Sequence, residues 1–341
     1  MEDHSKNRPL VSVIIVNYNG CEYLGPCLQS VTEQSYSPVQ IILVDNASTD
    51  DSVPYVRATF PDVQIIENAV NRGFAGGNNA GWAVAQGEYV ALLNNDAVAD
   101  PRWLETLVEA LRARNLPLVC SLVITKGVPD EYYQCNGTLN FIGYNIMSVF
   151  SDRSMIFYAS GAAMLLRRDA VDILFPEDYF LYHEDVYLSW KLRLRGENLA
   201  MVQSSIVRHR GSATTARQPS ARVTFYQERN RLLTCLLFFE IWTLLRLIPY
   251  FVTDAVVKTA LSLTGQGKSF VGILRAYFWI LAHPLRVWTM RREAQEGRRV
   301  PDRTILSLMS ARLANGTSAF VRVLNALSRG YATLVGLQHH G

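Results

Sequence analysis

Three consecutive polar residues, Asn94, Asn95 and Asp96, follow the apolar run from Tyr89 to Leu93. The run is too short for a typical helix and is typical of a strand buried on both faces of a parallel sheet. Its polar end is then expected at the carboxyl edge of the sheet, where ligands bind in such folds. A carboxylate beside two carboxamides offers the hard oxygen ligands that suit Mg²⁺ or Mn²⁺ chelated by a diphosphate. Asp96 is therefore the first candidate metal ligand. The alternative is a polar turn leading to a helix start at Asp100-Pro101.

A second group of ionisable residues lies at Glu184-Asp185, with His209 further along the chain. Val186, Trp190 and Leu194 recur every four residues and predict a helix that begins at this acidic pair. Acids in the first turn of a helix are also what capping alone would produce, so the pair has a structural as well as a catalytic interpretation.

The elements that must position these side chains alternate along the chain. Strands are predicted at 10–16, 40–44, 63–67, 89–93, 119–124, 160–168 and 200–207. The first strand ends in Asn17-Tyr18-Asn19 and the second in Asp45-Asn46. Strands alternating with helices predict an α/β fold with a doubly wound, mostly parallel sheet, whose right-handed crossovers bring these loops to one side.

The segment from Asn71 to Asn79 is rich in glycine and is predicted to be a loop running into a helix from Ala80 to Gln86. Its spacing of Gly73, Gly76 and Gly77 fits neither the dinucleotide fingerprint nor the P-loop, which makes a Rossmann dehydrogenase a poor candidate. Arg72 and the bare backbone at Gly73 could contact a nucleotide diphosphate. The alternative is a turn with a surface arginine. The strand at 160–168 begins with small residues, where another group can approach the backbone closely.

Charge divides the 341 residues unevenly. Residues 1–207 carry 14 Lys and Arg against 24 Asp and Glu, whereas residues 208–341 carry 19 against 6. The two parts are therefore expected to face different partners. The five scattered cysteines lack metal-site spacing and indicate reduced thiols in a cytoplasmic protein: Cys21, Cys27, Cys120, Cys135 and Cys235. Met1 to Pro9 is polar and predicts no signal peptide.

The C-terminal region, 213–341, is apolar and basic. Residues 232–263 are strongly apolar, yet Glu240, Arg246, Asp254 and Lys258 interrupt them, so a simple transmembrane span is not predicted. Polar residues spaced by three or four predict one narrow polar stripe on an apolar helix. Aromatic and basic residues around apolar helices favour helices lying on an anionic membrane, peripheral at its inner face. A helical subdomain packed on the core or a dimer contact is the alternative, and nucleic acid is disfavoured.

Taken together, residues 9–212 resemble the GT-A inverting glycosyltransferases of family 2, most closely the rhamnosyltransferase-like branch. Five motifs in order carry the resemblance: Val16-Asn17-Tyr18-Asn19, Val44-Asp45-Asn46-Ala47-Ser48, the segment Asn71 to Asn79, Asn94-Asn95-Asp96, and Glu184-Asp185 with His209. The resemblance implies a nucleotide-sugar site formed by Asn17, Asn19, Asp45, Asn46, Arg72, Gly73, Asn94, Asn95 and Glu184. It also implies Asp185 as catalytic base, with Asp96 and His209 as metal ligands. Asn94 stands where the family has the first acid of Asp-x-Asp, and the lost charge should weaken metal affinity.

The chemistry implied is a single in-line displacement, in which one base takes a proton from the acceptor hydroxyl while Mg²⁺ or Mn²⁺ neutralises the departing diphosphate. The expected reaction transfers a sugar, L-rhamnose from dTDP-L-rhamnose, to a glycan or polyprenyl-linked acceptor in bacterial cell-surface polysaccharide synthesis. Glycoside hydrolysis gives no role to a metal motif. The alternatives are a different donor such as a UDP-sugar, a sugar-phosphate nucleotidyltransferase, or a membrane-associated scaffold with a degenerate site. Homo-oligomerisation remains open.

Overall fold

The computed structural model describes residues 8–125, 137–146, 155–211, 220–265, 268–316 and 318–337. They form two compact units. The first comprises the described parts of 1–133, 159–185 and 198–213, and the second those of 134–158, 186–197 and 214–341. The sequence interpretation placed a single division after residue 212. In the structure, two earlier segments, 134–158 and 186–197, cluster with the C-terminal residues.

The first unit contains one eight-stranded sheet. Its strands are β1 (Val11–Asn17), β2 (Val39–Asp45), β3 (Gln64–Glu67), β4 (Tyr89–Asn94), β5 (Ala97–Ala99), β6 (Leu118–Thr125), β7 (Ala163–Arg167) and β8 (Leu199–His209). Their order across the sheet is β3-β2-β1-β4-β7-β6-β8-β5. Strands β1, β2, β3 and β4 run parallel, as do β6 and β8, whereas β7 and β5 pair antiparallel with their neighbours. The predicted α/β class is confirmed.

Helices cover both faces of this sheet. Those of the first unit are α1 (Cys21–Thr32), α2 (Ser52–Thr59), α3 (Gly73–Val84) and α4 (Trp103–Ala113), and α5 (Glu184–Leu194) begins in it. Alternate residues of β1 pack with α1 and α4 in one core, while Ile14 and Val16 lie against α3 on the opposite face. Val11, Val13, Ile14 and Ile15 are all fully buried, as predicted for central parallel strands.

The predicted loop between Asn71 and Asn79 is wrong, because α3 begins at Gly73. Low helix propensity of glycine argued for a loop, but close packing overrides it. A Cβ on Gly77 would lie 2.6 Å from a Val16 methyl carbon, and one on Gly81 would lie 2.5 Å from an Ile14 methyl carbon. The glycines therefore let the helix pack directly on β1.

The second unit is helical. After the end of α5 it contains α6 (Ala221–Phe238), α7 (Ile241–Leu263), α8 (Phe270–Ala282), α9 (Pro284–Gln295), α10 (Asp302–Leu306) and α11 (Ala319–Leu334). Trp190 of α5 is fully buried and stacks on Phe238, with ring centroids 5.4 Å apart, while Phe157 and Phe239 meet it edge-on. Within the described ranges no single helix has both the length and the apolarity of a membrane span. The pair α8–α9, bent by 81°, meets the two criteria jointly.

An ion cluster is buried in the second unit; its members are Glu228, Arg231, Asp254, Lys258 and Lys268. The Arg231 guanidinium donates to Glu228 Oε2 and to Asp254 Oδ2, both at 2.9 Å, and Lys268 Nζ lies 2.6 Å from Glu228 Oε1. Burial alone would raise the pKa of Glu228, but the charges of Arg231, Lys268 and Lys258 outweigh it and hold that pKa below its ordinary value. With three cations against two carboxylates, the cluster keeps one positive charge in excess.

Four cysteines, Cys21, Cys27, Cys120 and Cys235, are free thiols, and Cys135 lies outside the described residues. Burial raises the pKa of Cys27, Cys120 and Cys235 to about 12. These three side chains are therefore packed as neutral thiols.

Candidate active site

The polar ends of β1, β2 and β4 lie side by side at one edge of the sheet. Asn17 is the register partner of Asp45, and Val16 is the partner of Asn94. Because the three strands are parallel and in register, their last residues form a row of amide and carboxylate side chains. The structure thus brings together residues that the sequence separates by up to 77 positions.

Asp45 and Asn95 are linked through the buried side chain of Asn17. The Asn17 Nδ2 donates to Asp45 Oδ1 at 3.3 Å, and its Oδ1 accepts from Asn95 Nδ2 at 2.7 Å. Asp45 Oδ2 accepts from the backbone amide of Ser48 at 2.8 Å. Ser48 was not predicted as a site residue, yet its Oγ also accepts from Asn17 Nδ2 at 3.2 Å. The sequence signal was present in the Asp45-to-Ser48 spacing, which is typical of a turn in which an Asp side chain bonds to the backbone.

Asn19 lies at the exposed rim of this row. Its backbone amide donates to Ser48 Oγ at 2.9 Å, and its Oδ1 accepts from the amide of Thr49 at 2.7 Å. Asn19 has a left-handed backbone with a φ of 49°, which asparagine tolerates better than most residues. The loops after β1 and β2 are consequently tied together.

Gly73 joins the start of α3 to the same edge. Asn46 Nδ2 donates to the Gly73 carbonyl at 2.8 Å, and Asn46 Oδ1 accepts from Asn68 Nδ2 at 2.8 Å. Gly73 has a φ of 69°, and a Cβ there would overlap the carbonyl oxygen of Phe180. Only glycine fits this position. Arg72, predicted beside the nucleotide, forms an ion pair with Glu177.

Asp96 and His209 are adjacent because of a strand that the sequence did not reveal. The three-residue β5 starts directly after Asp96 and pairs antiparallel with β8, with Ala97 opposite His209. The Asp96 carbonyl also accepts from the Arg210 amide at 3.0 Å. This register places Asp96 Oδ1 2.9 Å from His209 Nε2. Asn94 Nδ2 lies 3.1 Å from the same imidazole nitrogen.

This arrangement fits a divalent cation. One imidazole nitrogen cannot donate to a carboxylate and accept from an amide at the same time, whereas a cation would take the nitrogen lone pair and the carboxylate together. A carboxylate oxygen with an imidazole suits Mn²⁺. Across the described ranges no group of three or more His, Cys, Asp or Glu side chains could hold a metal ion. An ion held by Asp96 and His209 would therefore take its other ligands from water or from substrate phosphates.

Asp185 is fixed at the same edge by a backbone amide. Gly161 N donates to Asp185 Oδ2 at 3.1 Å, and the neighbouring Ala162 carbonyl accepts from Asn94 N at 3.0 Å. The small residues before β7 were predicted to admit a close approach, and Asp185 is the group that approaches. A Cβ added to Gly161 would lie 3.3 Å from the ring of Phe74 of α3 and 3.5 Å from the Asp185 Cβ, so both side chains crowd this glycine. One short segment, 160–163, therefore forms hydrogen bonds with both the Asp185 side chain and the Asn94 backbone.

Glu184 differs from Asp185 in its surroundings. It is buried, and its Oε2 has no hydrogen-bond partner. Burial first, and the charge of Asp185 second, raise the pKa of Glu184 to about 8. Burial therefore favours the neutral form of Glu184.

We expect Glu184→Gln to change the dependence of stability on pH. The folded-state pKa of Glu184 lies above its ordinary value of 4.5, so between pH 4.5 and 8 unfolding releases a proton and wild-type stability falls as pH rises. Gln keeps the shape of the neutral acid without ionising. The variant should match wild type near pH 4.5 and exceed its free energy of unfolding by roughly 4 kcal/mol at pH 8, because each pH unit between the two pKa values contributes about 1.4 kcal/mol. Urea titrations at both pH values measure this, with the exposed Glu109→Gln as control. Equal gains at both pH values would contradict the assignment.

A cleft of about 470 Å³ opens beside the metal pair within the first unit. Asp96 and His209 line it together with Tyr23, Arg208 and Arg210. Arg210 lies over the Tyr23 ring, 5.1 Å from its centroid. The cleft is therefore a space next to the candidate cation that has both aromatic and basic walls.

Comparison with known proteins agrees with this geometry. Residues 12–175 match the family model "Glycosyl transferase family 2". The chain is 31% identical over 212 residues to the glycosyltransferase AglE of Haloferax volcanii, covering 59% of this chain and 67% of that protein. It is 39% identical over 174 residues to an uncharacterized glycosyltransferase of a Nostoc strain, covering 49% of this chain and 54% of the relative. The chain belongs to glycosyl transferase family 2.

Among solved structures, the chain superimposes on the mannosyltransferase PcManGT of Pyrobaculum calidifontis, a complex with GDP-Man and Mn²⁺. The TM-score is 0.53 at 18% identity, covering 86% of each chain. This likeness shows that the two share the GT-A fold. The chain spans about half the length of the Nostoc relative.

Proposed function

We propose that this protein is an inverting, metal-dependent glycosyltransferase. It transfers a sugar, L-rhamnose from dTDP-L-rhamnose, to a glycan or polyprenyl-linked acceptor of bacterial cell-surface polysaccharide. The proposal includes a peripheral location at the cytoplasmic face of the membrane. One observation carries it: Asp45, Asp96, His209 and Asp185 are all fixed at one edge of one sheet by short contacts.

The nucleotide would lie along the row that ends β1 and β2. Asp45, held by Asn17 and the Ser48 amide, presents a carboxylate to the base or ribose, while Asn46, Gly73 and Arg72 border the same edge. The assignment of dTDP-L-rhamnose rests on the resemblance of the five sequence motifs to the rhamnosyltransferase-like branch. Other donors, such as a UDP-sugar, would bind the same groups.

Asp185 would take the proton from the acceptor hydroxyl as that oxygen attacks the anomeric carbon. The Gly161 amide orients its carboxylate, and the neutral neighbour Glu184 adds no second negative charge. A single displacement from one side of the sugar inverts the anomeric centre, and one positioned base is sufficient for it.

Asp96 and His209 would hold Mg²⁺ or Mn²⁺, with Asn94 beside them. The ion would neutralise charge on the leaving nucleoside diphosphate. Asn94 takes the place of a first carboxylate, so the protein itself offers one negative charge at this position. Binding of the ion should therefore depend strongly on the diphosphate that completes its ligand set.

A thermal-shift experiment tests this metal site without any turnover. With the complex of Mn²⁺ and dTDP, taken as one ligand, at about 100 times its Kd, mass action predicts about 2.7 kcal/mol of stabilisation, or roughly 4 °C or more in Tm. Asp96→Asn and His209→Gln should each remove most of that shift, because each deletes one of the two protein ligands.

The exposed Asp62→Asn is the matched control and should keep the full shift. Retention of the thermal shift in both site variants would contradict a metal site formed by Asp96 and His209. A shift in wild type that is equally large with dTDP alone would do the same.

The donor is tested by repeating the measurement with a panel of nucleotide sugars in the presence of Mn²⁺. A larger shift for dTDP-L-rhamnose than for UDP- and GDP-sugars supports the proposed donor, since a ligand that binds only the folded state raises Tm. A larger shift for a UDP-sugar would agree with a glycosyltransferase but would contradict dTDP-L-rhamnose as its donor. Absence of any shift across the panel would favour the scaffold alternative.

A further inference from the structure

Helix α7 is turned with its polar side toward the protein and its apolar side outward. Thr243, Tyr250 and Lys258 are buried, and Asp254 belongs to the ion cluster. The Tyr250 hydroxyl donates to the Ser328 carbonyl at 2.6 Å. The opposite side is exposed along the helix: Ile241, Trp242, Leu245, Ile248, Val252, Val256 and Leu261. A surface helix in water shows the reverse arrangement.

Helix α11 has the same inverted orientation. Its buried side chains are Asn325, Ser328 and Ala332. Asn325 Nδ2 donates to the Ala314 carbonyl at 2.9 Å, so its polar atoms are satisfied inside the unit. Its exposed large side chains are Phe320, Val323, Leu327 and Leu334.

Helices α8 and α9 form an exposed apolar elbow. They meet at 81° around His283. Four large apolar side chains on both sides of this bend are between 61% and 82% exposed: Phe278, Leu281, Leu285 and Trp288. The buried residues of α8 are Gly272, Ile273 and Ala276, so two of its three inward positions are small. We call these four exposed side chains the elbow, and we use the term outward apolar face for them together with the exposed apolar side chains of α7 and α11.

Such a face is unfavourable in water. Scattered exposed apolar residues are ordinary, but contiguous apolar surface on several helices marks a site of contact with a partner or a membrane. On α7 and α11 the buried positions are mainly polar, with Leu247 and Ala332 as the apolar exceptions, whereas many large apolar side chains of these helices are exposed. The second unit is therefore built for a medium or a partner that is itself apolar.

The charges around this face select an anionic partner. Residues 255–292 contain no Asp or Glu and six Lys or Arg, two of which, Lys258 and Lys268, belong to the ion cluster, and residues 303–341 contain four Arg and no Asp or Glu. Arg246, Arg275 and Arg286 are exposed among the apolar side chains. A second copy of the chain would bring two strongly positive surfaces together, which electrostatics disfavours. An anionic bilayer supplies both the apolar interior and the opposite charge.

We infer that the outward apolar face lies on an anionic lipid bilayer, with the elbow inserted below the headgroups and the exposed arginines contacting lipid phosphates. The helices lie in the plane of the interface, and their apolar side chains reach about 5–10 Å into it. This inference extends the membrane location in the proposed function and names the surface that makes the contact. On the polar side of α7, Asp254 and Lys258 pair with each other and with Arg231 and Glu228 inside the unit.

Co-sedimentation of the full chain with lipid vesicles tests the inference. Wild type should bind vesicles containing phosphatidylglycerol, bind pure phosphatidylcholine much less, and lose affinity as salt is raised. The double variant L281E/L285E should lower the partition coefficient on anionic vesicles by roughly tenfold or more, because it places two charges in the elbow.

The matched control is V70E/I173E, which places two charges at exposed apolar positions of the first unit, 65% and 71% exposed. It should bind vesicles like wild type. Circular dichroism checks that both double variants fold, and light scattering reports whether the face is instead covered in a dimer.

Equal vesicle binding by L281E/L285E and wild type would overturn the inference, as would wild type that ignores anionic vesicles. So would a wild-type dimer that L281E/L285E dissociates. The measurement uses neither donor nor metal, so its failure leaves the transferase proposal intact. Conversely, loss of the dTDP thermal shift would not affect vesicle binding.

Discussion

Asp185→Asn should lower kcat by about 10² to 10⁴-fold, the usual contribution of a positioned general base. Asn keeps the size of the side chain and can still accept the hydrogen bond that Gly161 N gives to Oδ2 of Asp185. It cannot take a proton from the acceptor hydroxyl. The KM for the donor should change little, because Asp45, Asn17 and the metal pair are untouched. Steady-state transfer with the donor identified by the thermal-shift panel measures both constants.

Two controls make this result specific. The exposed Asp172→Asn should keep wild-type kcat. In Asp185→Asn the Mn²⁺- and dTDP-dependent thermal shift should also persist, which separates loss of the base from loss of binding. Wild-type turnover in Asp185→Asn would show that another group accepts the proton, and a lost thermal shift would show that Asp185 acts on donor binding.

Glu228→Gln should lower the free energy of unfolding by about 3–5 kcal/mol, because breaking a buried ion pair leaves charges without compensation. Arg231, Lys258 and Lys268 all contact this carboxylate. With Gln at 228, three buried or half-buried cations would share only Asp254. Urea denaturation of the full chain, followed by tryptophan fluorescence, measures the change. As a control, the exposed Glu296→Gln should leave the free energy of unfolding unchanged.

The same variant should remove an acid-sensitive part of stability. The folded-state pKa of Glu228 is depressed, so its contribution is complete above the ordinary carboxyl pKa of 4.5 and is lost as pH falls toward the depressed value. Lys268→Gln tests the excess charge: it balances two cations against two carboxylates and should cost much less than Glu228→Gln. A larger loss of unfolding free energy in Lys268→Gln than in Glu228→Gln would contradict the idea that the excess positive charge destabilises the cluster.

Seven of the eight strands of the sheet could be predicted from the sequence. Most of the predicted strand ends lie within one or two residues of the observed ends. Val11–Asn17 and Val39–Asp45 are runs of β-branched residues that stop at turn-forming polar ones, and that pattern is local. The start of α3 could not be predicted in this way. Its glycines are poor helix formers, and their role, contact with Ile14 and Val16, depends on residues 61 and 67 positions away.

The candidate site was predicted as a set of residues but not as a geometry. Asp96 and His209 lie close together because β5 pairs with β8. Strand β5 has only three residues, which are too few to show a periodic pattern in the sequence. Likewise, the sequence showed that α7 has a polar and an apolar side. It did not show that Thr243, Tyr250 and Lys258 face inward, because periodicity carries no information on which side meets the protein.

The interleaving of the two compact units limits how such chains can diversify. Segments 134–158 and 186–197 precede the C-terminal helices in the chain but cluster with them, and Trp190 packs against Phe238. Recombination at a single point after residue 212 would separate that tryptophan from its neighbours. We therefore expect chimaeras joined at that point to be less stable than both parents, because Trp190 would lose its contact with Phe238.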